Sequence, residues 1–377
     1  MKRLKWVSAE PVDALIFDSL GVEYLKEGIP HGVRYTVLSS RDQFPIMLSP
    51  RFLWRWKKVF GETRLGFMRS YIISLIDIHQ PKVVLSFSDT NSILGFYQTY
   101  RNNVLVISVQ NAMRFPYEFI PVLRAPHYFA LGKTARKSFD EYRIPYKRCE
   151  ASGSLPLSIF CSRSSITRCP GKLVFVSNYR IRFDQSHQNN KADEYLNAQA
   201  RGHSLAFKHA LRYAEEFNRE LTVIAKGKVR YDGEHFAEEK AYFDRLAGDS
   251  VFTLSSTVKD TLSSYHHALT AEFIIGLDST LLYEAFSVGA RVLFCWGADR
   301  YLLKKAEILT EHLPEAVLLK GGGYDEFSKK INFLRGLTDE EYNGLIEDAR
   351  SEYVSSTEYF PVHEKLKHEI TAHLGRA

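Results

Sequence analysis

Apolar residues in this chain fall into short dense runs, separated by longer stretches in which they recur every three or four positions. The runs "ALIFDS" (14–19), "YTVLSS" (35–40), "KVVLSFSD" (82–89), "VLVISVQN" (104–111) and "YFALG" (128–132) read as strands. Between them lie amphipathic stretches such as 50–79, where "RSYIISLIDIH" places its apolar residues at helical spacing. Strand–helix alternation of this kind predicts a parallel, doubly wound sheet.

The segment "SSITRCPGK" (164–172) lacks periodicity and reads as a linker. After it the pattern restarts with "KLVFVSN" (172–178), a helix near 202–217, "ELTVIAKGK" (220–228), "SVFTLSS" (250–256), "AEFIIGLDST" (271–280), "ARVLFCWG" (290–297) and "AVLLKGG" (316–322). A polar, helix-compatible tail follows from about 338 to 375. The pattern predicts an α/β protein with two Rossmann-like domains facing a central cleft, 1–165 and 170–350, followed by a tail helix at 357–377. In open parallel sheets ligands bind beyond the carboxyl ends of the strands, so the residues just after each strand are the ones that matter.

Composition narrows the function classes. Apolar residues make up 45% and charged residues 25% of the 377, as in an ordinary globular protein. A formal charge of +6 suits an anionic small molecule or an anionic membrane surface and is thin for a nucleic-acid binder. Cys149, Cys161, Cys169 and Cys295 show no zinc-ligand spacing, so no structural zinc is expected. No apolar h-region follows the basic start and no apolar run spans a bilayer, which predicts a cytoplasmic protein.

The clearest chemistry-bearing block is "FIIGLDSTLLYEAFSVGARVLF" (273–294). A strand ends at Gly276, Asp278, Ser279 and Thr280 form the turn, and a helix follows that carries Glu284. A helix N-terminus with hydroxyl donors suits a phosphate, and Glu284 suits ribose hydroxyls. The same residues also make a capping box, and the local pattern leaves both readings open. Asp89 ends a strand in "SFSDTN", either as a base for an acceptor hydroxyl or as a helix cap. Gln110, Asn111 and Arg114 end the next strand, where they can hold sugar hydroxyls or an anion. Ser177, Asn178 and Arg180 occupy the corresponding position at the start of the second domain.

The block "GLDSTLLYEAFSVGARVLF" resembles the donor-nucleotide motif of GT-B glycosyltransferases, especially those that build bacterial surface carbohydrate. The segments "VLSFSDTNSILGFYQ" (84–98), "VISVQNAMR" (106–114), "YFALGKTARKSF" (128–139) and "SGSLPLSIF" (152–160) are similar to acceptor-side segments of retaining transferases of Kdo, the 3-deoxy octulosonic acid of lipopolysaccharide, O-antigen and capsule. The resemblance implies CMP-Kdo as donor, a lipid-linked glycan as acceptor, no metal, and a tail helix packed back on the N-terminal domain. One departure is the lack of a His-Pro pair after 220–228, which argues against sialyltransferase-like and polyol-phosphate-transferring relatives. A UDP- or GDP-hexose transferase and a sugar-nucleotide epimerase of the same build remain as alternatives.

Within that resemblance "AKGKVRYDGEHF" (225–236) gains a meaning. Lys226, Lys228 and Arg230 share one face of an extended segment and match a donor that brings both a phosphate and a carboxylate. Asp232 is then the expected nucleophile of a retaining double displacement, with Glu234 and His235 near enough in sequence to take its place. Without the resemblance the row reads as a solvated strand edge with a balancing carboxylate. His266 and His267 are adjacent on a helix and diverge by about 100°, which argues against a shared metal. "RFLWRWKKVF" (51–60) is either a core helix with a basic outer face or a helix lying on an anionic membrane, peripheral at the inner face of the inner membrane.

Overall fold

The computed structural model describes residues 4–5, 10–39, 46–47, 49–114, 118–119, 122, 124–180, 183, 191–225, 234–256, 262–355 and 361–375. The chain divides into two compact units, Met1–Ser162 together with Val354–Ala377, and Arg163–Tyr353.

The first unit opens with β1 (Leu4–Lys5), β2 (Ala14–Phe17), α1 (Val22–Glu27), β3 (Tyr35–Leu38) and β4 (Ile46–Met47). It continues through α2 (Pro50–Thr63), α3 (Phe67–Asp77), β5 (Val83–Ser86), α4 (Ile93–Tyr100) and β6 (Leu105–Val109). β7 (Ala125–Ala130), α5 (Lys133–Glu141), β8 (Tyr146–Ala151) and α6 (Leu155–Arg163) complete the run. Six strands form an all-parallel sheet in the order β3-β2-β5-β6-β7-β8, while β1 and β4 make a separate two-residue parallel pair. β2, β5 and β7 are buried along their whole length, because helices cover a parallel sheet on both faces. Leu15, Phe17, Val84 and Val106 of the strands pack against Phe52, Ile73, Ile76 and Tyr97 of the helices. At Gly95 a Cβ would lie 2.0 Å from the Arg124 carbonyl oxygen, so α4 meets the chain entering β7 backbone to backbone.

The amphipathic stretch 50–79 forms two helices, α2 and α3. The chain breaks at Arg64, which is left-handed at φ 53°, and restarts after Gly66. The polar edge strand β8 was not anticipated, because only its Cys149 is buried and no apolar run marks it.

The second unit holds β9 (Cys169–Val176), α7 (Lys191–Glu216), β10 (Glu220–Ile224), α8 (Glu234–Ala247), β11 (Thr253–Ser255), α9 (Ser263–Leu269) and β12 (Ala271–Gly276). α10 (Thr280–Ser287), β13 (Val292–Trp296), α11 (Arg300–Leu309), β14 (Leu318–Lys320), α12 (Tyr324–Gly336) and α13 (Asp339–Tyr353) follow. Its sheet is again all parallel, in the order β11-β10-β9-β12-β13-β14. Strand order reverses between β9 and β12, which makes the gap beyond their carboxyl ends the natural ligand crevice of this unit. β9 reaches back to Cys169, so part of the segment expected as linker is strand.

The polar tail divides likewise. α13 packs in the second unit, where the Tyr342 hydroxyl donates to the Ala290 carbonyl at 2.9 Å. α14 (Val362–Leu374) belongs to the first. There Lys365 Nζ lies 2.8 Å and Arg148 Nη2 3.1 Å from Glu150 Oε2, while Arg148 Nη1 reaches Glu369 at 3.0 Å.

Candidate functional site

In the second unit the residues after β9 and β12 meet across the switch point. The Asn178 carboxamide nitrogen donates to Asp278 Oδ1, joining the two strand ends. The Asn178 backbone N–H donates to His203 Nε2 at 3.1 Å, and His203 Nδ1 lies 3.2 Å from the Tyr242 hydroxyl. Accepting at Nε2 leaves the proton on Nδ1, so His203 is a neutral imidazole whose tautomer is set by the main chain. Asn178 is thus held from both ends and is 6% exposed, yet its carboxamide oxygen is buried without a partner. An unsatisfied buried acceptor costs on the order of 1–3 kcal/mol and is uncommon in folded proteins.

Beside this pair α10 begins. Ser279 is its N-cap residue, in extended conformation, and its side chain makes no cap hydrogen bond. The capping-box reading therefore fails on its first member. α10 starts four residues after β12 ends, so the positive end of its dipole lies at the carboxyl edge of the sheet. Glu284 fails as the second member, since it is buried and accepts from the Tyr265 hydroxyl at 2.9 Å on α9. Ser177 is likewise committed: its hydroxyl donates to buried Glu239 at 2.5 Å and accepts from the Tyr179 N–H at 3.1 Å. Arg180 is exposed, and Thr280 opens α10. The structure thus gathers Asn178, Asp278 and Ser279, and gives Ser177 and Glu284 supporting work. Lys226, Lys228, Arg230 and Asp232 lie outside the described residues, as do the side chains of Glu234 and His235.

In the first unit the central strands β2 and β5 lie side by side, with Asp18 directly after the first and Asp89 in the loop after the second. Both oxygens of Asp89 are engaged: Arg114 Nη2 donates at 2.7 Å, Arg114 Nε at 3.2 Å, and the Tyr128 hydroxyl at 3.1 Å. Burial disfavours the Arg114 charge, but the Asp89 carboxylate outweighs it and raises the pKa of the guanidinium. Burial, with Asp89 adding to it, pushes the Tyr128 phenol well up, so it stays a donor. A carboxylate so saturated positions Arg114 rather than standing open as a base, which corrects the base reading. The reading of Asp89–Thr90–Asn91 as a helix cap holds at Asn91, whose Oδ1 takes the Ile93 N–H at 2.9 Å at the start of α4.

Gln110 and Asn111 are spent inside the chain as well. Gln110 donates to the Ala112 carbonyl and accepts from the Leu131 N–H, each at 2.9 Å. Asn111 donates to the Phe87 carbonyl at 2.6 Å and accepts from Arg114 Nη2 at 2.9 Å. Of this acceptor-side set, Arg114 keeps its side chain 21% exposed.

Asp18 was missed by the sequence reading. It is 2% exposed and left-handed at φ 81°, a costly conformation for a residue with a Cβ. Its own carboxylate accepts from the Ser19 N–H at 2.7 Å. The signal was available, because "ALIFDS" ends on it and it follows a strand as Asp89 does.

His267 Nε2 lies 2.7 Å from the Ser255 hydroxyl, and burial lowers the pKa of the ring. Among the described residues no group of three or more His, Cys, Asp or Glu is placed to hold a metal ion. No helix among them is long and apolar enough to cross a membrane.

Residues 140–305, less than half of the chain, match the model of a family described as "putative O-antigen biosynthesis protein". No curated protein matches the sequence. Among solved structures the chain is similar to the UDP-GlcNAc 2-epimerase of Neisseria meningitidis, bound there to UDP-GlcNAc. The TM-score is 0.52 at 11% identity, over 97% of this chain and 99% of that one. It is also similar to a variant of the wall teichoic acid polymerase TagF, with a TM-score of 0.55 at 10% identity, over 98% of this chain and 92% of that one. At such identities the likeness shows the fold: two α/β units with six-stranded parallel sheets, the GT-B fold.

Proposed function

We propose that this protein is a glycosyltransferase of surface-polysaccharide assembly, O-antigen or capsule, that binds a nucleotide-sugar donor in the crevice of its second unit. The observation that carries the reading is the buried, unpartnered carboxamide oxygen of Asn178, fixed beside Asp278 and the start of α10, where the Ser279 side chain makes no cap bond. An acceptor atom next to a helix N-terminus suits a ligand with both a donor group and a phosphate, which is what a nucleotide brings. The family model that matches residues 140–305 supports the O-antigen context.

For the donor we propose CMP-Kdo, with a lipid-linked glycan as acceptor and no metal. The Asp232 carboxylate attacks the anomeric carbon as the bond to CMP breaks, and CMP leaves with the bonding pair. The acceptor hydroxyl then displaces Asp232 from the same carbon, freeing its carboxylate and passing the hydroxyl proton to water, and the configuration is retained. Lys226, Lys228 and Arg230 neutralise the phosphate and the sugar carboxylate. The full-length likeness to an epimerase favours one second reading, isomerisation of a free nucleotide sugar.

Calorimetric titration with CMP, UDP and GDP, without metal, tests the proposal in wild type and Asn178→Ala. CMP is expected to bind tightest, and Asn178→Ala to weaken it about ten-fold, the worth of one buried hydrogen bond. Preference for UDP or GDP overturns the Kdo donor, and no binding at all overturns the enzyme assignment. Conversion of UDP-GlcNAc without an acceptor selects the epimerase. A mass adduct formed with CMP-Kdo and lost in Asp232→Asn tests the nucleophile.

A further inference from the structure

The corner of the first unit where α2 turns into α3 departs from an ordinary surface. Thirteen large apolar side chains are exposed among the described residues, and five of them fall between positions 53 and 68. Trp54 is 61% exposed, Phe67 62% and Met68 60%, with Leu53 and Phe60 also open. They sit on a rigid base. Phe52 and Val59 anchor α2 in the core, and Trp56 packs edge-on against Phe67 at 4.4 Å and Tyr71 at 5.5 Å. Leu53, Trp56 and Phe60 follow one another at helical spacing, so Trp56 carries the ridge from α2 across to Phe67 of α3.

Charge accompanies the apolar surface. Residues 50–70 hold six basic residues and one acid, Glu62, which pairs with Lys58 at 3.7 Å. Arg55 is turned inward to buried Asp77 at 3.0 Å. Arg51, Lys57 and Arg64 are exposed and make no ion pair among the described residues. A row of exposed aromatic and aliphatic tips among unpaired cations complements a bilayer with anionic headgroups, where the tips enter the acyl boundary and the cations meet phosphate. A polar protein partner would leave the apolar tips unmatched, and a second copy would bring the like-charged corner against itself.

We propose that the α2–α3 corner docks on an anionic lipid bilayer. The inference stands on this surface alone and does not need the donor assignment, although a lipid-linked acceptor would be presented at such a surface.

Sedimentation of the full chain with vesicles tests it, using phosphatidylcholine alone or with a minority of phosphatidylglycerol. Binding is expected only with the anionic lipid and is weakened by salt. The double variant Arg51→Ala/Lys57→Ala is expected to lose at least ten-fold in partition, at roughly five-fold per cation. Leu53→Ser/Phe67→Ser is expected to lose what salt leaves behind. Brominated acyl chains should quench fluorescence in wild type, and Trp54→Phe should remove most of that quenching. Arg51, Lys57 and Trp54 are exposed, so Arg51→Ala/Lys57→Ala and Trp54→Phe keep the wild-type circular dichroism spectrum and melting temperature. Leu53→Ser/Phe67→Ser gives up the Phe67–Trp56 contact, melts earlier and is assayed well below its own transition. Nucleotide titration of the same variants is unchanged, which separates this test from that of the donor site. Equal sedimentation with and without anionic lipid overturns the proposal, as does binding indifferent to the substitutions. A concentration-dependent dimer abolished by the same variants, without vesicle binding, assigns the corner to a second copy instead.

Discussion

Two serines at helix N-caps do different work in this chain. Ser49 accepts the Phe52 N–H at 3.3 Å and caps α2, whereas Ser279 makes no side-chain cap bond at α10. Replacing a working cap by alanine costs about 1 kcal/mol. Urea titration should therefore show Ser49→Ala destabilised by about that amount and Ser279→Ala unchanged. Calorimetry should show the reverse for nucleotide, with Ser279→Ala about ten-fold weaker, the worth of a hydrogen bond to a charged group. A loss of stability in Ser279→Ala would mean that the hydroxyl caps after all. The sequence could not tell the two apart, since each is a serine ahead of a helix. What distinguishes them is where the hydroxyl points, and the packing around each helix start decides that.

At the scale of the element, α14 shows how a polar helix is secured. Glu150, on edge strand β8, receives Lys365 of α14 at 2.8 Å and lies 2.6 Å from His127 Nε2. Burial alone would raise its pKa, but hydrogen bonds from His127 and Lys365, with their charges, hold it at about 2. Its folded value lies below the unfolded one, so its contribution is full above the ordinary carboxylate range. It is lost as the pH falls from there toward about 2. Stability measured by urea at pH 7 and pH 3 should fall by on the order of 2 kcal/mol from this group, and Glu150→Gln should flatten that fall. An unchanged pH dependence in Glu150→Gln would place the acid sensitivity elsewhere. The tail's helical periodicity was legible in 338–375, as was a separate helix at 357–377, whereas the return of that helix to the first unit was expected only from the resemblance. Both halves are amphipathic, and periodicity says nothing of which core an apolar stripe reaches.

At the scale of the whole molecule, chain order gives the two units unequal autonomy. The second unit is the single segment Arg163–Tyr353, whereas the first draws on both Met1–Ser162 and Val354–Ala377. A fragment 163–353 is expected to melt cooperatively alone, whereas 1–162 without α14 is expected to melt earlier than it does with 354–377 supplied as a peptide. Circular dichroism melts of the two fragments, and of the mixture, check this. A non-cooperative 163–353 would show that neither unit stands by itself. The sequence by itself determined the fold class and nearly every strand, because a strand buried on both faces of a parallel sheet must be a continuous apolar run. It determined where function could lie as well, since ligands gather at the carboxyl ends of such strands. Tertiary structure alone decided which strand-end residues meet. Asn178, Asp278 and Ser279 converge beside one helix start, while Asp89, Gln110, Ser177 and Glu284 satisfy partners of their own. A side chain's hydrogen-bond partner is set by which strands are neighbours in space, and residues 100 positions apart, such as Asn178 and Asp278, carry no local mark of that pairing.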